Sequence, residues 1–228
     1  MERRFERELE SLKTNIIKMG SVVEESLNRA IESVVNEDKT LARTVIEADH
    51  RINDLEMEID NAVVDLLALQ QPVATDLRLI LAVQKINNDL ERIGDHAVNI
   101  AESAESLSAT TVKEPLLQVP RMAELTRTVL RHALDSFILL DPKLAQSVLE
   151  RDDQIDDLNR DTVREVIGLI KSDTRTVDSC MHVIRISRNL ERVGDLATNI
   201  AEEVIFLTQA RVVKHHAAEA HHSPRTRS

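Results

Sequence analysis

At 228 residues the chain is long enough for one large domain or two small ones, and 42% of it is hydrophobic, mostly Leu, Ile, Val and Ala with three Phe and no Trp or Tyr. That composition, with only four Gly and five Pro, suits close-packed helices better than a β-sandwich. The formal net charge of −11 argues against nucleic acid as the principal partner, and the single cysteine, Cys180, cannot form an internal disulfide, which fits a reducing cytoplasm.

The N-terminal stretch MERRFERELE is charged from its second residue and has no apolar core, so it reads as the start of a helix and not as a signal peptide. Phe5, Leu9, Leu12, Ile16, Met19, Val23, Leu27 and Ile31 recur at threes and fours and predict a first helix to about Val35. Asn36 to Asp38 supplies a turn. A second helix is predicted through about Leu69, striped by Leu41, Val45, Ile52, Leu55, Ile59, Val63 and Leu66, and Gln71-Pro72 ends it. A third runs from Ala74 or Asp76 to Thr110. The break at Thr111 to Pro120 marks the boundary between halves. The fourth helix begins near Val119 and stops at Asp141. Asp141-Pro142, an N-cap acid followed by Pro at the first helical position, opens the fifth, which extends to about Lys171. Ser172-Asp173 opens the sixth, which ends near Ala210. No uninterrupted apolar run approaches the roughly 18 residues of a membrane span, so any membrane association is expected to be peripheral and through partners.

The halves overlay. Asp38, Leu41, Ala42, Glu47, Asp49, Ile52 and Leu55 fall on Asp141, Leu144, Ala145, Glu150, Asp152, Ile155 and Leu158 at an offset of 103. For the third helix of each half the offset is 100, placing ERIGDHAVNIAE (Glu91 to Glu102) on ERVGDLATNIAE (Glu191 to Glu202). The expected fold is therefore all-α: two tandem three-helix bundles, residues 1–110 and 116–210, related by pseudo-two-fold symmetry, with a disordered tail over residues 211–228.

Each copy of the repeated motif carries a mid-helix glycine, where Gly costs roughly 0.5–1 kcal/mol relative to Ala. It also carries a stripe of oxygen donors: Glu91, Asp95, Asn99 and Glu102 fall within about a quarter turn, as do Glu191, Asp195, Asn199 and Glu202. Like charges four apart repel, and a hard metal ion between them would reverse that. The alternative is the solvated face of an amphipathic helix, since Ile86, Leu90, Ile93, Ala97, Ile100 and Ala101 lie opposite. The second helix of each half carries further acids: Glu47, Asp49, Asp54 and Glu58 against Glu150, Asp152, Asp157 and Asp161. Antiparallel neighbours would bring one of these towards each motif, with Asp49 and Asp152 the favoured pair. Gly94 and Gly194 then either keep Cβ bulk away from the ligands or permit close helix crossing, and both accounts stay open. All-oxygen ligation points towards Mg, Mn, Ca or ferric iron and away from a Cys/His structural zinc site. The expected cofactor is a divalent or ferric ion: Mg, Mn, Fe or Zn. Arg92 and Arg192 are expected to form rim ion pairs worth under about 1 kcal/mol.

Leu-Glu-Arg-Ile-Gly-Asp followed by Asn-Ile, repeated as Leu-Glu-Arg-Val-Gly-Asp, resembles the PhoU family of phosphate-uptake regulators. The resemblance implies metal clusters on the outer faces of the two bundles, held here by Glu91/Asp95 and Glu191/Asp195. It further implies a cytoplasmic, commonly dimeric negative regulator that contacts the phosphate ABC transporter ATPase and the phosphate-sensing histidine kinase. No catalytic motif accompanies it, so an enzyme is not expected. Two other functions stand beside it. One is a metal-free helical scaffold. The other is a ferritin-like di-metal oxidoreductase suggested by Glu47-Ala-Asp-His50, although Asp153 occupies the position that would hold the second histidine.

Overall fold

The structure, a computed structural model, describes residues 2–107 and 118–209. Its helices are α1 (Glu2–Val35), α2 (Lys39–Ala48), α3 (His50–Gln70), α4 (Ala74–Leu107), α5 (Val119–Leu139), α6 (Pro142–Leu149), α7 (Asp152–Ser172) and α8 (Val177–Gln209). A 3-10 turn at Thr174–Thr176 precedes α8. No strand occurs among the described residues. The expected end of the third helix at Thr110, the end of the sixth at Ala210, most of the Thr111 to Pro120 break and the tail over residues 211–228 lie outside the described residues.

In the first half α1, α2–α3 and α4 pack on one another, and in the second α5, α6–α7 and α8 repeat the arrangement. The expected apolar stripes form the core: Leu12, Ile16, Met19, Val23 and Leu27 of α1 meet Ile86, Leu90, Ile93 and Ile100 of α4, all buried. Asp38 and Asp141 cap the next helix of their halves, accepting from Leu41 N at 3.0 Å and from Lys143 N at 2.8 Å.

Two expected helices are each divided. The second splits at Asp49, which keeps right-handed geometry (φ −57°, ψ −35°) while Ile52 N donates to its carbonyl at 2.8 Å. The fifth splits at Glu150-Arg151, where Arg151 N donates to Val148 O and Gln154 N to Arg151 O, both at 3.1 Å. In each case three-residue bonds tighten the ladder and interrupt the helix without a Gly or Pro. The sixth helix begins later than Ser172-Asp173, because Asp173 caps the 3-10 turn through Arg175 N at 2.9 Å.

The halves meet along two antiparallel pairs, α4 with α8 and α1 with α5. At the second crossing Arg131 Nε donates to Glu24 at 2.9 Å and Arg127 Nη2 to the Asn28 carbonyl at 3.0 Å. The offset of 103 places Glu24 on Arg127 and Asn28 on Arg131, so these two contacts occupy pseudo-symmetric positions about the crossing. Gly20 makes the approach possible, since a Cβ there would stand 2.9 Å from Leu134 Cδ2.

Candidate metal centres

At the break in each middle helix an acid and, three residues on, an isoleucine stand beside a glycine of the repeated motif. A Cβ on Gly94 would lie 2.8 Å from Ile52 Cδ1 and 3.8 Å from Asp49 Oδ1. On Gly194 it would lie 2.9 Å from Ile155 Cδ1 and 3.7 Å from Asp152 Oδ1. The close-crossing account of the glycines is the one these distances support: the bare backbone admits the isoleucine, whose burial contributes roughly 1.5–3 kcal/mol, whereas the carboxylate would stand at ordinary contact distance from a Cβ.

In the first half Asp49, Glu56, Glu91 and Asp95 form one electrostatic group. Burial pushes the Glu91 carboxyl above its ordinary range, and repulsion from Asp95, Glu56 and Asp49 adds to it against a small opposing pull from Arg92. Asp49 is raised by burial and by Asp95, partly offset by the amide of Asn53, which donates to Asp49 Oδ2 at 3.2 Å, and by His50. Glu56 is raised by burial, Asp60 and Asp95. Glu56 escaped the sequence reading, although it lies seven residues from Asp49 on the same helical face.

The second half has Asp152 buried beside Gly194, half-buried Glu191, and Asp195 bridged to Arg192 at 2.9 Å. At the offset of 103, Asp49, Asn53 and Glu56 become Asp152, Asp156 and Asn159, so each middle helix carries two acids and one amide in exchanged order. Asn159 accepts from Ser187 Oγ at 2.6 Å. The other expected acids lie apart: Asp54 is exposed, Glu58 accepts from Asn15 at 3.0 Å, Asp157 pairs with Arg160, and Asp161 pairs with Arg164 at 2.6 Å.

Asn99 and Asn199 do not join the acid groups. Asn99 accepts from Arg185 at 2.7 Å, and Asn199 donates to Asp89, so both serve the α4–α8 seam. Glu102 is likewise held by Arg185, at 2.6 Å. Lys85 with Glu203 at 2.6 Å and His96 with Asn189 at 2.8 Å complete that seam. Arg92 turns to Asp89, at 3.9 Å, and not to the motif acids. His50 bonds the Glu47 carbonyl through Nδ1 at 2.8 Å, which occupies that ring nitrogen with the main chain.

The donor set, carboxylates with amide neighbours, has the chemistry of a hard-cation site. Among the described residues no three carboxylate, imidazole or thiol groups stand together closely enough to hold a metal ion as placed. A cation would have to draw Glu91 and Asp95, or Glu191 and Asp195, inward from their present positions.

The PhoU domain matches this sequence twice, over residues 16–104 and 119–204. The chain belongs to the PhoU family. Each match lies within one of the three-helix halves, so the structural duplication is a duplication of the PhoU domain. The chain is 38% identical over 212 residues to the phosphate-specific transport system accessory protein PhoU homolog of Pseudomonas putida, covering 92% of this chain and 83% of that one. It is 39% identical to PhoU homolog 1 of Thermotoga maritima, covering 92% and 91%. The crystal structure of PhoU from Pseudomonas aeruginosa superposes with a TM-score of 0.89 at 36% identity, over 91% of this chain and all 100% of that one. The phosphate transport system regulatory protein PhoU from Streptococcus pneumoniae gives 0.85 at 30% identity, over 92% and 99%. Among the described residues no helix is long and apolar enough to cross a membrane.

Proposed function

We propose that this PhoU-family chain is a negative regulator of phosphate uptake and phosphate-starvation signalling that works by protein–protein contact and not by catalysis. Its partners are the ATPase of a phosphate ABC transporter and a phosphate-sensing histidine kinase, which it meets as a cytoplasmic homodimer peripheral to the membrane. The observation that carries this proposal is the extent of the likeness: the whole helical duplication, not one motif, is shared with relatives named as accessory proteins of a phosphate-specific transport system.

The two acid groups would serve as cation sites, with Glu91 and Asp95 supported by Asp49 in one half, and Glu191 and Asp195 supported by Asp152 in the other. What supports this is the crowding of negative charge in the first half, where burial and mutual repulsion already raise Asp49, Glu56 and Glu91. A divalent or ferric ion, Mg, Mn, Fe or Zn, would relieve that repulsion and fix the outer face of each bundle for docking. A metal-free scaffold is favoured by one observation, the Arg192–Asp195 pair at 2.9 Å, which already neutralises one motif acid.

Deletion of the gene under phosphate-replete growth tests the regulatory role, read as phosphate accumulation and alkaline phosphatase output. Constitutive starvation output is expected, and a wild-type response would refute it. Co-purification of the ATPase and the kinase with and without chelator separates the cation from the contact. Binding that survives both chelator and motif substitution would remove the metal from the mechanism.

A further inference from the structure

The two halves act as controls for each other, and one end of the molecule breaks their likeness. Where α1 hands over to α2, residues 35 to 37 are Val35, Asn36 and Glu37; the equivalent residues after α5, at the offset of 103, are Ile138, Leu139 and Leu140. The backbone is the same in both places. Glu37 and Leu140 are left-handed (φ 54° and 50°), and Asp38 N and Asp141 N return to Ser33 O and Ser136 O at 2.9 Å. In the first copy Asn36 and Glu37 are polar, as an exposed turn ordinarily is, while Val35, like its equivalent Ile138, is apolar and 50% exposed. The other leaves Ile138, Leu139 and Leu140 49%, 68% and 53% exposed.

This apolar turn borders a cleft of about 330 Å³ lined by Leu9, Ile17, Leu79, Phe137, Leu140 and Leu207. Leu9 belongs to a stretch of α1 without a helical counterpart among the described residues of the other half, because α5 begins at Val119, the equivalent of Ile16. Among the described residues this wall stands at one end only.

We propose that the cleft receives one amphipathic helix of a partner protein, from which a pair of large apolar side chains at i, i+3 or i, i+4 spacing enters it. The volume suits about two leucine-sized side chains, the number that one helical face presents together. Ile17, Ile138, Leu139 and Leu140 offer a few hundred Å² of apolar surface. That is well below the roughly 800 Å² per partner that a stable pair of subunits needs, so a second copy of this chain would not be held by the patch alone. The polar rim carries Lys13, already bridged to Glu10 at 2.6 Å, and Asp76. That balance does not attract an anionic lipid surface, and it matches a helix whose apolar stripe is flanked by basic residues. The inference is independent of the acid sites.

The test uses the full chain and a labelled synthetic amphipathic helix of about five turns with a leucine stripe flanked by lysines, read by fluorescence anisotropy. The variant Leu139→Asn/Leu140→Glu installs the residues that the first half carries at the same turn, and Ile17→Gln changes the opposite wall. Each should weaken binding by about tenfold or more, while Val64→Glu on the exposed surface of α3 should change it by less than about twofold. Far-UV circular dichroism and Tm of each variant confirm that it is folded. Absence of saturable binding to the wild type, or equal losses in all three variants, would overturn the proposal. It would also be overturned if sedimentation showed wild-type self-association that Leu139→Asn/Leu140→Glu abolishes, since a second copy would then fill the cleft.

Discussion

Asp89 is a carboxylate that the fold tolerates and does not favour. It lies on α4 facing α8, only 9% exposed, and at the equivalent position the second half carries Asn189. Burial pushes its carboxyl from the ordinary 3.8 up to about 6, and Glu203 adds repulsion; the Asn199 amide, Arg92 and Lys85 only partly oppose this. A carboxyl raised on folding binds more protons folded than unfolded. Its favourable contribution is complete below the unfolded value, is lost as pH rises through about 6, and is a net cost at neutral pH. The shift corresponds at face value to about 3 kcal/mol, which residual solvent screening reduces to roughly 1–2 kcal/mol. Asp89→Asn keeps an acceptor for Asn199 and removes the charge, so it should stabilise the protein at pH 7 by about 1–2 kcal/mol, or about 3–6 °C in Tm. At about pH 4 the gain should shrink towards zero. Urea unfolding of both proteins across this range measures the difference. A variant destabilised equally at both pH values, or one whose difference from wild type does not change with pH, would refute the assignment of that cost to Asp89.

The glycines give opposite expectations from one substitution. Gly94→Ala and Gly194→Ala drive a methyl into Ile52 or Ile155 and should cost about 0.5–2 kcal/mol net of the helix-propensity gain, whereas Gly168→Ala, with nothing within 4 Å, should stabilise by about 0.5–1 kcal/mol. Thermal unfolding separates them. Asp141→Ala removes an N-cap accepting from Lys143 N and Leu144 N and should cost about 1 kcal/mol by the same assay. Because Asp49, Glu56 and Glu91 are raised, protons compete for the first acid group sooner than for ordinary carboxylates, so cation affinity should fall between pH 7 and pH 5; calorimetry at the two pH values reads it.

The helical duplication was legible because its apolar stripes keep their register: Ile86, Leu90, Ile93 and Ile100 are buried as their spacing requires, and so are Ile186, Leu190, Val193 and Ile200. Asp49 and Asp152 stood out as matched acids, and the structure places both beside the motif glycines. The division of the middle helices was hidden, since the break at Asp49 keeps right-handed dihedrals and interrupts neither the apolar period nor the helix-forming composition. Asn99 and Asn199 share the stripe of the motif acids, but the structure gives both partners in the α4–α8 seam, which the sequence of one helix does not show. Gly20 carried no signal, because the Leu134 side chain that requires it comes from the other half of the chain.

The sharpest test of the doubled acid site is a calorimetric titration of Mn²⁺ into metal-stripped wild type and into a variant with Ala at Glu91, Asp95, Glu191 and Asp195. Binding at both halves of the wild type, lost in the variant while its helicity is retained, is the predicted result. Indistinguishable titrations would leave these carboxylates as a solvated surface and contradict the account.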